Sequence, residues 1–165
     1  MLKRNLDLIE GIVDVGLVVI AHFENPAKTY AVEFLMKVLS REIKAIIPIT
    51  CFIGAYHIMT NYLRVPRLSA KKALVHTLMT RSPALYEDIS IDDAIDAIDI
   101  AATYNIESWD GYLVALARNL GTKIIFSIDK KLSRVEEVIV INPIPNDIMK
   151  KYHEWLSEKL KSVKS

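Results

Sequence analysis

One cysteine, Cys51, occurs among 165 residues, which excludes an internal disulfide and any zinc site of the multi-cysteine kind. Glycine is scarce as well. With five in the chain there is no G-x-G-x-x-G turn and no Walker loop, so the usual dinucleotide and nucleotide-phosphate cradles are absent. A receiver-like doubly wound domain would carry paired acids at its first strand, and "GIVDVG" offers one. No long unbroken apolar run exists. The nearest, "GIVDVGLVVIAHF", is interrupted by Asp14, preceded by Asp7 and Glu10, and shorter than the roughly 20 residues a membrane span needs. Repeats, low-complexity tracts and Gly/Ser linkers are missing too. Charge of one sign does not dominate: 21 Lys and Arg against 20 Asp and Glu leave +1, so whole-chain electrostatics neither drives nor forbids nucleic-acid binding. A cytoplasmic protein with no membrane association is the expectation.

What is there describes one compact domain, 52% hydrophobic and 25% charged, with prolines punctuating periodic segments. "EGIVDV" (10–15) has the character of a buried strand. Residues 26–43 predict a helix with Pro26 in its first turn and Tyr30, Phe34, Leu35 and Val38 on one stripe. "AIIPIT" is ambiguous between strand and helix, and a helix follows from Pro48 or Thr50 to Leu63. "SAKKALVHTLMT" predicts a helix capped by Ser69, and "LYEDIS" a weak strand. "SIDDAIDAIDIAATY" opens on Ser90 as N-cap, carries Asp92 and Asp93 in its first turn, and aligns Ile91, Ile95, Ile98 and Ala102 as an apolar face. "SWDGYLVALARNLG" repeats that grammar, with Ser108 as cap, Asp110 in the first turn and Gly121 after the last periodic residue. Strands "KIIFSI" and "EVIVIN" follow. The final helix places Met149, Tyr152, Leu156, Leu160 and Val163 at helical spacing, a stripe that packs on the domain or builds a dimer interface. Strands alternating with helices imply an α/β fold with a mostly parallel sheet.

A parallel sheet presents the carboxyl ends of its strands, and the helix starts that follow, along one edge where ligands bind. Asp14 ends the first strand, Asp129 ends "KIIFSI", and Asp110 opens the helix before that strand. Clustered carboxylates raise one another's pKa, and a hard divalent cation relieves the repulsion. Each residue also has a plainer role: Asp110 as helix-dipole compensation, Asp129 as turn chemistry before "KK". Asp14 is harder to explain that way, because it interrupts a run that would otherwise bury without cost.

The blocks "GIVDVGLVVIAHFENP", "AIIPIT" and "ESWDGYLVALARNLGTKIIFSIDKKLSRVEEVIVINP" together resemble the PIN-domain family, the Mg²⁺- or Mn²⁺-dependent ribonuclease fold that includes the toxins of VapBC toxin–antitoxin pairs. The most specific part runs from Asp110, through "ALA" (115–117) and Gly121, to Ser127 and Asp129. The resemblance implies an α/β/α sandwich of roughly four to five strands, a PIN-like domain over 1–143 and a helical extension over 144–165. It also implies a metal-dependent endoribonuclease that holds Mg²⁺ or Mn²⁺ on Asp14, Asp110 and Asp129, with Ser127 fixing Asp129. Single-stranded RNA is the implied substrate, an antitoxin-like protein and a second copy the implied partners.

Two departures stand against that pattern. Gly16 replaces the Asn or Ser common two residues after the first aspartate. Gly54 and Ala55 stand where the family's second acid is expected, and no carboxylate occurs between Glu42 and Glu87. Glu107 is the candidate substitute acid; His57 is a lone histidine in an apolar helix. A catalytically silent PIN-like module that binds RNA or protein is the alternative. Charge is also segregated locally. Arg64, Arg67, Lys71, Lys72 and Arg81 occur without an acid, and Glu87, Asp88, Asp92, Asp93, Asp96 and Asp99 without a base. The basic stretch can hold an RNA backbone, or the two faces can meet solvent or pair across a dimer.

Overall fold

A computed structural model describes residues 8–87 and 89–162. Asp7, Asp88 and Val163, which entered the expectations above, lie outside the described residues. Among the described residues, five strands are interspersed with seven α-helices: β1 (Gly11–Val13), α1 (Val15–Ala21), α2 (Lys28–Leu39), β2 (Ala45–Pro48), α3 (Thr50–Asn61), α4 (Arg67–Leu78), β3 (Leu85–Tyr86), α5 (Ile91–Tyr104), α6 (Ser108–Leu120), β4 (Ile124–Phe126), β5 (Ile139–Ile141) and α7 (Asn146–Lys161), with a 3-10 turn at Lys130–Arg134. Every strand pairing is parallel and the order is β3-β2-β1-β4-β5. The chain winds outward from β1 to one edge and then returns to β4 on β1's other side, so the order reverses between β1 and β4. That reversal opens a crevice at the carboxyl ends of those two strands.

Strand alternation divides the interior into two cores. Val13 and Ile47 point into a core shared with α1 to α4 and with Met149 and Tyr152 of α7. Ile12, Ile46 and Ile125 point into the other, shared with α5, α6, Leu132 and Val135. The result is the expected α/β/α sandwich, with five strands rather than four. Among the described residues, no helix is long and apolar enough to cross a membrane.

Several local expectations change. α1 has no counterpart in the sequence reading: its residues, VGLVVIA, show no amphipathic period because nearly all of them are buried. "AIIPIT" resolves into β2 and the start of α3. α4 begins at Arg67 after Pro66, so Ser69 is not a cap, and α6 begins at Ser108 with Glu107 in the cap position. Ser90 does cap α5 with a reciprocal bond to Asp93, and Gly121 closes α6 in the left-handed region at φ 71°. In α2 the buried stripe is Ala31, Phe34, Leu35 and Val38, with Tyr30 exposed.

The largest correction concerns α5. Ile91, Ile95 and Ile98 face solvent, and Ala97 and Ile100 are the buried residues. The cause is the crossing with α6: a Cβ on Gly111 would lie 2.2 Å from the Ala97 carbonyl oxygen and 3.2 Å from the Ala101 Cβ. Backbones that approach so closely need small residues between them, so the alanine face of α5 turns inward and the isoleucines turn out.

Candidate active site

The register of the central strands assembles the site. β1 pairs with β4 so that Val13 faces Phe126, which puts the next residues, Asp14 and Ser127, side by side at the carboxyl edge. The Asp14 amide continues the ladder by donating to the Phe126 carbonyl at 2.9 Å, and the Ser127 amide donates to the Ile141 carbonyl at 3.0 Å. Asp14 then leaves the sheet to cap α1: its Oδ1 accepts from the Val15 amide at 2.6 Å. Its Oδ2 accepts from the Ser127 hydroxyl at 2.6 Å, while that hydroxyl accepts the Asp129 amide at 3.0 Å. Ser127 therefore positions the Asp14 carboxylate and the Asp129 backbone, not the Asp129 side chain. Asp129 Oδ1 instead accepts from the Lys131 amide at 2.9 Å and caps the 3-10 turn.

Asp110 enters from above. α6 runs opposite to the strands, so its first turn overhangs the carboxyl edge, and Asp110 in that turn is buried, as is Asp14. One cavity of about 330 Å³ is lined by Asp14, Glu107, Asp110 and Asp129 together with Trp109 and Tyr152. Burial pushes the Asp14 carboxyl up from its ordinary value, the Ser127 and Val15 hydrogen bonds oppose that, and Asp129 adds to it. Burial also pushes Asp110 up to about 6, helped by the charges of Asp14, Asp129 and Glu107. The Tyr152 hydroxyl is pushed up to about 12 by burial, so it remains a donor at neutral pH. The Trp109 indole N–H is buried without a hydrogen-bond partner; it lies near enough to Asp14 to favour the charged carboxylate, though outside bonding geometry.

Other candidates fall elsewhere. From α3 the acid cavity is lined by the apolar Ile58, and Gly54 packs near Val15, where a Cβ would sit 3.4 Å from its Cγ2. His57 is exposed and interacts with Asn61 and Tyr62. Gly16 is explained by packing: a Cβ there would lie 2.8 Å from the Ile128 Cγ1. Of the basic residues expected to hold RNA, Arg64 follows Leu63, which lines the acid cavity, whereas Lys71 lines a groove between α3 and α4. Sequence reasoning passed over Lys131 and Arg134. With Glu107 and Asp110 they line a cavity of about 380 Å³ that shares its acidic wall with the first.

A family model described as the PIN domain matches residues 12–138, a span that holds all four acids and Ser127. The chain belongs to the PIN-domain family. The match ends before β5 and α7, so the matched span holds β2 to β4, most of β1 and the four carboxylates, while α7 adds Tyr152 to the cavity wall. A solved structure, the crystal structure of PAE2754 from Pyrobaculum aerophilum, is similar to this PIN domain with a TM-score of 0.56 and 14% identity, over 93% of this chain and 98% of that one. At that identity the likeness concerns the fold. No curated protein matches the sequence.

PIN domains as a family are nuclease-type domains that use divalent metal ions. The donor set here suits such an ion: four carboxylates line one cavity, where burial first and then the neighbouring charges raise the pKa of Asp110. Among the described residues, however, no three His, Cys, Asp or Glu side chains stand in a ligating arrangement as placed. Asp129 Oδ1 accepts from the Lys131 amide, and both Asp14 oxygens accept hydrogen bonds, from the Val15 amide and the Ser127 hydroxyl.

Proposed function

We propose that this PIN domain is a divalent-metal-dependent endoribonuclease that hydrolyses RNA phosphodiesters, with Asp14, Asp110 and Asp129 holding Mg²⁺ or Mn²⁺. The observation that carries the reading is the gathering of Asp14, Asp110, Asp129 and Glu107 around one cavity at the strand-order reversal. The cation, when bound, supplies positive charge that polarises the phosphodiester and steadies the leaving oxygen. Ser127 holds Asp14 in place through a buried 2.6 Å bond, so this acid needs no reorganisation to act. Glu107, at the cap position of α6, stands in for the acid that α3 does not provide. Lys131 and Arg134 hold the RNA backbone next to Asp110, joined by Arg64, which follows the cavity-lining Leu63, and the binding they supply is sequence-independent and weakens with salt.

The test is incubation of end-labelled single-stranded RNA with the folded protein, with Mg²⁺, with Mn²⁺ and with chelator. Fragments that appear with metal and vanish with chelator are the expected outcome. Intact RNA at high protein and Mn²⁺ concentration contradicts the proposal.

A second reading has its own support: the α3 residue that lines the cavity, Ile58, is apolar, and the sequence has no carboxylate between Glu42 and Glu87. A catalytically silent PIN module that grips RNA would bind in a salt-sensitive way without cutting, and the same incubation followed by a filter-binding assay separates the two.

A further inference from the structure

Carboxylates are only part of the lining of the acid cavity. Ile58, Leu63, Trp109, Ile128 and Leu156 line it as well, and all but Leu63 are half-buried, so apolar surface stands open beside charge. A cation and a phosphate gain nothing from that surface. α7, outside the matched family span, adds Tyr152 and His153 one turn ahead of Leu156. The buried Tyr152 ring stacks on Trp155 at 6.3 Å between centroids, Trp155 meets Phe23 at 6.0 Å, and the Lys159 ammonium lies over both Trp155 and Phe23. These contacts tie α7 to the chain just after α1 and hold the Tyr152 wall in place. The Tyr152 hydroxyl has no hydrogen-bond partner among the described residues and is not sealed from solvent, and burial of the residue keeps it protonated at neutral pH. It is a free donor. His153 is exposed, and its ring meets that of Tyr152 edge-on at 5.5 Å.

We infer that this apolar and aromatic lining, with Tyr152 and His153 of α7, is a pocket for an unpaired nucleobase on the nucleotide whose phosphate meets the acids. The inference rests on the reading of those acids as a phosphodiester site. A base hangs from its phosphate through a single ribose, so it must come to lie within one nucleotide's reach of the carboxylates. The same cavity offers it an aromatic ring to stack on, apolar walls and a hydroxyl that donates to an acceptor on its edge. An apolar side chain of a protein would fill the walls and leave that hydroxyl without an acceptor. A base does both. Bases inside a duplex are stacked and paired, so the pocket admits one only from a single strand or after it has swung out of the helix. His153 stands at an exposed position, where it supplies the stacking face, and Tyr152 supplies the donor.

The experiment measures, by fluorescence anisotropy, the binding of two end-labelled chains to the full-length protein: a short oligouridylate and its abasic counterpart. The two share one backbone charge and differ only in the bases. Ca²⁺, a hard cation with oxygen ligands, stands in for Mn²⁺, and folding of every variant is checked by circular dichroism. Wild type is expected to bind the oligouridylate at least about tenfold tighter than the abasic chain. His153→Ala is expected to weaken oligouridylate binding about tenfold and to leave the abasic chain unchanged, and His153→Phe, which keeps an aromatic face, to restore it. Tyr152→Phe keeps the ring packing and removes the donor. It is expected to cost roughly fivefold on the oligouridylate alone. Equal binding of the two chains by wild type overturns the inference, as do variants that lose both chains equally or neither, or a folded wild type that binds no RNA. Base-dependent binding by a protein that leaves RNA intact in Mn²⁺ upholds the pocket and removes the nuclease reading, whereas cleavage without base-dependent binding does the reverse.

Discussion

Asp14→Asn is expected to reduce metal-dependent RNA cleavage by at least about a hundredfold while leaving the fold intact, since loss of even a residue that orients a metal ligand typically costs 10- to 100-fold. The change keeps the shape of the side chain and leaves an oxygen to accept the Val15 amide, so the α1 cap survives. It removes the negative charge that the cavity holds against burial. Ser127→Ala, which frees the Asp14 carboxylate but leaves its charge, is expected to cost roughly tenfold by the same comparison. Initial rates on a labelled oligoribonucleotide at saturating Mn²⁺ measure both. Equal rates for Asp14→Asn and wild type would remove Asp14 from the chemistry.

Asp110→Asn is expected to lose activity just as severely and yet to gain stability in metal-free buffer at pH 7.5. The sign follows from the raised pKa. Folded Asp110 holds its proton up to about 6, above its unfolded value near 3.8, so the native state binds more protons than the unfolded state across that interval. The stability Asp110 contributes is therefore fully present below about pH 4 and is lost as pH rises through about 6. Above that, the ionised carboxylate opposes folding through burial and through Asp14, Asp129 and Glu107. Replacing it with Asn relieves roughly 1 kcal/mol, discounted for the water that reaches the carboxylate from the cavity, or about 2–4 °C in Tm for a chain of this size. The gain is expected to disappear near pH 4. Scanning calorimetry at both pH values reads it. A Tm lowered at pH 7.5 would mean that Asp110 is a structural cap, stabilising α6 through its dipole, and not a strained carboxylate.

Much of this site was legible in the chain because ionisable groups in apolar runs are costly. Asp14 stands out among Ile12, Val13, Leu17 and Val18, and the structure buries it at the end of β1. Capping was legible at Ser90, which bonds the Asp93 amide, and at Gly121, which takes the left-handed region, but not at Ser69 or Ser108. What stayed hidden depends on partners far away in sequence. α1 is buried almost all round and so shows no period. The buried face of α5 is chosen by Gly111, a residue of the next helix, which admits Ala97 and turns larger isoleucines outward. The partner of Ser127 is set by strand register, which no spacing within "KIIFSID" reveals. Lys131 carried a signal, as the second of two lysines just after Asp129, that turn chemistry alone also explains, and Arg134, five residues on, carried none.

The most direct test of a cation held by these carboxylates is calorimetric titration of Mn²⁺ into the folded wild type and into Asp14→Asn at neutral pH and moderate salt. Wild type is predicted to give a saturable binding isotherm, and Asp14→Asn the heat of dilution alone. Identical isotherms for the two proteins, or no saturable binding by a demonstrably folded wild type, would contradict the account.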